Sequence, residues 1–306
     1  MNASIPNALS SLSNDLAAAV ERIAPSVVYV DASRRRDASG VVLDERTVVT
    51  VDHVLDRDED IELILTGDAR SSAEVIGRDP TTDLALLRTS SPLSVAPRAK
   101  LEALKVGHIV LAVGRDEDGA AGASLGVVSA LDGSWQTWRG GEIDRLLRPD
   151  LSMYPGFSGG PLIDTTGSVL GINTWGLSRR TALTIPISTV ERVAAQLLGG
   201  GIRRGYLGVA LQTVRLPDSV RAQHALDAES AVMIVDVAVG GPAQRAGLVM
   251  GDVILALGER AIEDVEDLQR ALGGEAVGRS GPMRILRAGA PRELEVTIDE
   301  RSRDDD

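Results

Sequence analysis

The chain has 306 residues, 43% hydrophobic and 25% charged, the make-up of a globular protein with room for about two domains. Its net charge of −12 and the acidic end Arg301-Ser302-Arg303-Asp304-Asp305-Asp306 argue against nucleic acid or an anionic membrane surface as partner. The absence of cysteine excludes disulfides, thiol catalysis and cysteine-based zinc sites; no metal and no cofactor are expected. Three tryptophans, three tyrosines and one phenylalanine are the whole aromatic complement, so the cores must be built from Val, Leu, Ile and Ala.

In chain order, residues 1–12 read as a flexible tail. A short helix follows with Ser13 or Asn14 as cap and Leu16, Val20 and Ile23 on one face, stopped by Pro25. Short apolar runs then recur at barrel-like spacing: Ser26–Val30, Val41–Leu43, Val48–Val51, Ile61–Leu65, Ala73–Ile76, Leu84–Leu87 and Ile109–Val113. Arg34-Arg35-Arg36 reads as a solvated loop. After Gly122-Ala123-Ser124 comes a strand at Leu125–Ser129, then a polar loop, Asp132–Gly141, whose Trp135 and Trp138 would cover a barrel edge. Strands at Val169–Thr174 and Leu183–Ile187 and a helix over Val190–Leu198 complete this part. Gly199-Gly200-Gly201 marks a linker.

One stretch carries chemistry: Tyr154-Pro155-Gly156-Phe157-Ser158-Gly159-Gly160-Pro161-Leu162. Glycines beside Ser158 let a substrate backbone approach, and Gly156 can adopt the positive φ that turns N–H groups toward a developing charge. The stretch also fits the G-x-S-x-G elbow of α/β-hydrolase esterases, but Gly159-Gly160-Pro161 is a poor helix start and disfavours that reading. A serine nucleophile needs a base and an orienting acid. Of the three histidines, His224 sits in a polar helix-like run, His108 is a loop residue, and His53 closes the β-branched run Thr47–Val51. Asp83, ahead of Leu84–Leu87, is the acid candidate, because a lone carboxylate before an apolar strand needs a reason to be there. The order His53, Asp83, Ser158 is that of chymotrypsin-type β-barrels.

Ser39-Gly40-Val41-Val42, Val48-Val49-Thr50-Val51-Asp52-His53-Val54, Asp79-Pro80-Thr81-Thr82-Asp83-Leu84-Ala85-Leu86-Leu87 and Gly126-Val127-Val128-Ser129-Ala130 appear in sequence before Gly156–Leu162 and Gly167–Thr174. Together these blocks resemble the HtrA (Deg) family of trypsin-like serine proteases. The resemblance implies a mainly β fold, a chymotrypsin-like double β-barrel followed by a smaller α+β PDZ domain. Its limits would be a protease domain over 13–198, a linker over 199–204, a PDZ domain over 205–299 and an acidic tail over 300–306. It implies an oxyanion hole from the N–H groups of Gly156 and Ser158, and a specificity pocket shaped by Met153, Thr174, Trp175, Gly176 and Leu183. No carboxylate is among those five, so cleavage after small or medium aliphatic residues is expected.

Tyr206-Leu207-Gly208-Val209 resembles the carboxylate-binding loop and first groove strand of a PDZ domain, with a helix capped by Asp264 beyond it and closing strands at Met283–Leu286 and Leu294–Ile298. Expected partners are unfolded or misfolded proteins and, at the PDZ domain, peptide C-termini. A homotrimer is implied by the resemblance, although residues 1–25 lack the aromatics that usually build it. Phe157 stands where the family usually has asparagine or aspartate, and Asp52 where alanine or asparagine is common. Asp52 would raise the basicity of His53 if turned toward it and do little if turned to water. Arg115-Asp116-Glu117-Asp118-Gly119 replaces an apolar turn in the family's activation loop. With no signal sequence or spanning segment the chain reads as cytoplasmic as it stands, or extracytoplasmic if a leader has been trimmed. A proteolytically silent, chaperone-like peptide-binding scaffold is the alternative.

Overall fold

The computed structural model describes residues 8–33, 36–178, 181–199, 205–224, 226–273 and 276–300. It divides into two compact units, Met1–Gly201 and Ile202–Asp306. The Arg34-Arg35 part of the basic loop, the linker from residue 200 on and the acidic tail from residue 301 lie outside the described residues.

The first unit opens with α1 (Ala8–Ile23), which starts more than a turn ahead of the cap read from the sequence. Nothing in Ala8-Leu9-Ser10-Ser11-Leu12 breaks a helix, so the periodic segment extends back through part of the expected tail. Six strands then close the first barrel: β1 (Val27–Asp31), β2 (Ser39–Asp44), β3 (Thr47–Thr50), β4 (Ile61–Ile64), β5 (Arg70–Asp79) and β6 (Leu84–Thr89). Their order is β1-β2-β3-β6-β5-β4, all antiparallel around a Val/Leu/Ile interior.

The second barrel is built from β7 (Ile109–Arg115), β8 (Ala121–Asp132), β11 (Leu146–Asp150), β12 (Pro161–Ile163), β13 (Val169–Thr174) and β14 (Leu183–Pro186), in the order β11-β14-β13-β12-β7-β8. Between β8 and β11 a small hairpin, β9 (Trp135–Gln136) with β10 (Glu142–Ile143), occupies the stretch expected to be an irregular loop. Trp135 is half-buried there, and Trp138 at its tip is 70% exposed. Strand β11 escaped the sequence reading because Arg148-Pro149-Asp150 looks like a turn. A register shift at Arg148/Pro149 absorbs the proline, which has no N–H to give. Helix α2 (Ile187–Leu198) buries Val190, Val193, Ala194 and Leu197, and Leu197 lies so close to Gly77 of β5 that a Cβ there would approach to 3.0 Å.

The second unit comprises β15 (Gly205–Tyr206), β16 (Val209–Arg215), α3 (Asp218–His224), β17 (Ser230–Val237), α4 (Pro242–Arg245), β18 (Val253–Leu257), β19 (Arg260–Ala261), α5 (Val265–Ala271), β20 (Ser280–Arg287), β21 (Ala290–Thr297) and β22 (Asp299–Glu300). Its main sheet runs β16-β17-β18-β20-β21, leaving β16 at an edge. Asp264 caps α5 by accepting the Asp267 N–H at 2.8 Å, as its sequence position suggested. No helix among the described residues is long and apolar enough to cross a membrane.

The two barrels are fastened by Arg115, the last residue of β7, whose side chain is 2% exposed. Its guanidinium donates to the carbonyls of Val27 at 2.7 Å, Ala24 and Gly119, and to the Thr66 hydroxyl at 2.9 Å. Arg115→Met should therefore leave several buried acceptors unmatched and lower stability by about 3 kcal/mol. Urea unfolding would measure this, and a loss below about 1 kcal/mol would contradict the brace.

Candidate active site

Asp83 follows β5 on a turn and takes the left-handed conformation, φ +59°, with only 4% of its surface exposed. Such a conformation suits Asp better than most residues but still needs support from its surroundings. A buried carboxylate also needs donors. Those donors are the His53 N–H at 3.0 Å, the His53 ring through Nδ1 at 2.8 and 3.0 Å, and the Thr174 hydroxyl. The Asp83 carbonyl in addition accepts the Asp52 N–H at 3.2 Å. His53 lies in a single 3-10 turn, Asp52–Val54, just after β3. With Nδ1–H committed to Asp83, the neutral ring presents Nε2 as an acceptor, the tautomer a general base requires. The side chain is 30% exposed.

Ser158 comes from the other barrel, on the turn before β12, and is 8% exposed. Gly156 has φ +85° and Gly159 φ +83°. The turn is tied to the first barrel through Ser39, which is fully buried at the start of β2. The Ser39 N–H donates to the Ser158 carbonyl at 2.9 Å, and its hydroxyl donates to the Gly156 carbonyl at 2.6 Å while accepting the Arg115 N–H at 2.9 Å. The contact is so close that a Cβ on Gly159 would lie 2.0 Å from the Ser39 carbonyl oxygen. On the other side, Gly159 donates to the Asn173 carbonyl and Asn173 to that of Gly160, both at 2.9 Å. Asn173 adjoins Thr174, the donor to Asp83, so one strand, β13, bonds both the serine turn and the His53–Asp83 pair. Among the described residues, neither the Gly156 nor the Ser158 N–H has a protein acceptor, and the Ser158 hydroxyl makes no hydrogen bond to the imidazole.

The residues assigned to the pocket divide. Thr174 is wholly buried, with its hydroxyl on Asp83 and accepting the Gly176 N–H at 2.8 Å, so it orients the acid. Gly176 is pressed against the pair: a Cβ there would come 2.2 Å from Asp83 Oδ2 and 2.8 Å from His53 Nδ1. Trp175 is 46% exposed, Leu183 is buried on β14, and Met153 packs at the edge of the second-barrel core. Sequence reasoning missed Ser39 and the orienting role of Thr174, because their partners lie far away in the chain.

Both departures from the expected pattern have a physical account. The Phe157 ring is buried against Gly114 and meets Tyr154 edge-on, with centroids 5.5 Å apart. A Cβ on Gly114 would lie 2.6 Å from that ring, so a residue without a side chain makes room for it. Asp52 bonds Arg78 at 3.0 Å, a partner that neither of the two sequence-based alternatives named. His108 is an exposed loop residue, and His224 Nε2 lies 2.9 Å from the Gly289 carbonyl.

In the second unit, Gly208 has φ +71°, and among the described residues the Leu207 and Gly208 N–H groups have no protein acceptor. The free edge of β16 faces α5, with Leu207 and Leu268 buried and Val209, Leu211 and Val265 partly buried around them. This is an open strand edge beside an apolar trough.

Residues 38–172 match the trypsin-like peptidase domain family and residues 205–298 the PDZ domain family. A probable periplasmic serine endoprotease, DegP-like, of Ectopseudomonas mendocina is 31% identical over 290 residues, 91% of this chain and 60% of the relative. A protein of the same description from Brucella suis is 32% identical over 267 residues, 84% of this chain and 51% of that one. The chain thus spans about half to three-fifths of the curated relatives it matches. Among solved structures, a serine endoprotease from Yersinia pestis aligns with TM-score 0.74 at 28% identity, covering 98% of this chain and all of the other. An HtrA-type protease, AlgW, with a tripeptide aligns with TM-score 0.71 at 26% identity, covering 94% and 97%.

Burial is the largest influence on Asp52 and raises its carboxyl above the 3.8 of a free aspartate, against the opposing hydrogen bond and charge of Arg78. A raised folded value means this carboxyl favours the fold most below about pH 3.8 and that the benefit is lost as pH rises through the raised value. The stability of the native chain relative to Asp52→Asn should therefore fall as pH rises from 3 toward 7 (~4 units), in urea unfolding at several pH values. A difference that grows with pH would contradict this.

Proposed function

Because the chain belongs to the HtrA family of PDZ-bearing serine proteases, we propose that it hydrolyses peptide bonds through His53, Asp83 and Ser158. The observation that carries this reading is the His53–Asp83 pair with its Nδ1 committed, bonded to the same strand, β13, as a serine turn whose Gly156 and Ser158 N–H groups have no acceptor among the described residues. In the proposed reaction Ser158 Oγ attacks the scissile carbonyl carbon and its proton passes to His53 Nε2. Oxyanion charge is received by the Gly156 and Ser158 N–H groups, worth on the order of 3 kcal/mol per donor. Collapse breaks the C–N bond, Nε2 gives its proton to the departing amine, and water repeats the sequence on the acyl-enzyme.

The proposed domain limits are 13–198 for the protease and 205–299 for the PDZ domain. Met153, Trp175, Gly176 and Leu183 are proposed to shape an uncharged pocket that takes small or medium aliphatic residues. Substrates would be unfolded or misfolded proteins, since only an unfolded segment can lie extended along the crevice, and this suits a role in protein quality control under stress. The Tyr206-Leu207-Gly208-Val209 segment would receive a peptide C-terminus, its carboxylate on the free N–H groups and its backbone added to β16. A homotrimer is proposed to use aliphatic rather than aromatic contacts near the N-terminus, where Leu9 and Leu12 are exposed on α1, at 73% and 39%.

A fluorophosphonate should label the native chain at Ser158, label His53→Ala far more slowly, and leave Ser158→Ala unlabelled, while Ser158→Ala loses roughly 10⁶-fold in turnover. Absence of labelling in the native chain would favour the silent scaffold, and cleavage by pure Ser158→Ala would mean another nucleophile. For the PDZ domain, fluorescence anisotropy with apolar-ended peptides should show at least ~10-fold weaker binding when the terminal carboxylate is amidated. Equal affinity for acid and amide would remove the carboxylate-binding assignment.

A further inference from the structure

The hairpin β9–β10 of the second barrel reaches across to the turn of the first barrel that carries Asp83. Thr137, next after β9 and only 5% exposed, donates its hydroxyl to the Thr81 carbonyl at 2.6 Å. That hydroxyl also accepts the Gly141 N–H at 3.0 Å, and the Thr137 N–H donates to the Gly141 carbonyl at 2.9 Å, so the hairpin end is closed on itself. Gly141 lies directly on Thr81: a Cβ there would come 2.4 Å from the Thr81 carbonyl oxygen. The turn is held from within as well, Asp79 accepting the Thr81 N–H at 3.1 Å and the hydroxyls of Thr81 and Thr82 at 2.6 and 2.7 Å.

A non-glycine residue in the left-handed region persists only where its surroundings fix it. The three Asp79 bonds above lie within the turn. Thr174 ties Asp83 itself to the second barrel, and the hairpin adds a second tie to that side at Thr81, two residues from Asp83. We infer that Thr137 is a positioning residue: through Thr81 it holds the Asp83 turn in register with Thr174, and so sets the direction of the Asp83 carboxylate on His53. The inference rests on the proposed catalytic role of that pair.

Thr137→Val keeps the shape and removes the hydroxyl; Thr137→Ser restores a donor. In the Val variant the low-field Nδ1 proton resonance of His53 should move upfield or vanish by exchange, kcat on a peptide substrate should fall about 10- to 100-fold with KM little changed, and Ser should recover both. A Val variant with native resonance and native kcat would overturn the inference, as would a loss that Ser does not rescue. The resonance is read whether or not the native chain cleaves peptides. A native chain with that resonance and no turnover would count against the protease reading, and a resonance unmoved by Thr137→Val would count against this one.

Discussion

A carboxylate with 4% of its surface exposed needs hydrogen-bond donors, and around Asp83 those donors come from both barrels of the first unit. His53 contributes its backbone and its ring from the turn after β3, while Thr174 contributes its hydroxyl from the end of β13. One buried charge therefore does two things: it fixes the imidazole tautomer, and it sets the first barrel against the second. Gly176 shows how close the fit is, since any side chain there would collide with the pair itself. The imidazole itself stays 30% exposed, with Nδ1 on the buried carboxylate.

The serine turn is held by the reciprocal device. Here the first barrel reaches into the second, with Ser39 pinning the peptides on either side of Phe157 and Ser158 and Arg115 joining the same network through its N–H. Carbonyls around the turn are occupied: those of Gly156, Ser158, Phe157 and Gly160 all accept hydrogen bonds. Among the described residues, the N–H groups of Gly156 and Ser158 have no acceptor. In the proposed reaction, a turn whose acceptors are satisfied while a pair of donors stays free would receive negative charge with little reorganisation.

The elements easiest to read from sequence were those with local signals. A rare histidine closing a strand, His53, a carboxylate just ahead of an apolar strand, Asp83, and a serine among glycines stood out from their surroundings. Barrel-like β structure was legible from the spacing of β-branched runs, and the double barrel and the PDZ domain from the resemblance. Ser39, Thr137 and Thr174 were opaque for one shared reason: a hydroxyl at a strand end looks the same in sequence whether it meets water or a buried partner dozens of residues away. β11 hid behind Pro149, whose cost a register shift removes. The start of α1 was misplaced because serines can cap a helix or simply sit within one.

Phe157 shows how a departure from a family pattern can be accommodated without disturbing the backbone that matters. A polar residue at that position would need partners inside the second barrel. An apolar ring instead needs room and contact, and it finds them beside Val110, Ala112, Leu162 and Leu170, with Tyr154 against its edge. Room comes from Gly114 and Gly122, each lacking a side chain where the ring lies. The Phe157 N–H still donates to the Tyr154 carbonyl at 3.1 Å, and its own carbonyl still accepts from Gly160. Burial thus anchors the middle of the turn while hydrogen bonds from Ser39 fix its two ends. Because the anchor is non-directional, the orientation of the free donors depends all the more on those polar ties from the first barrel.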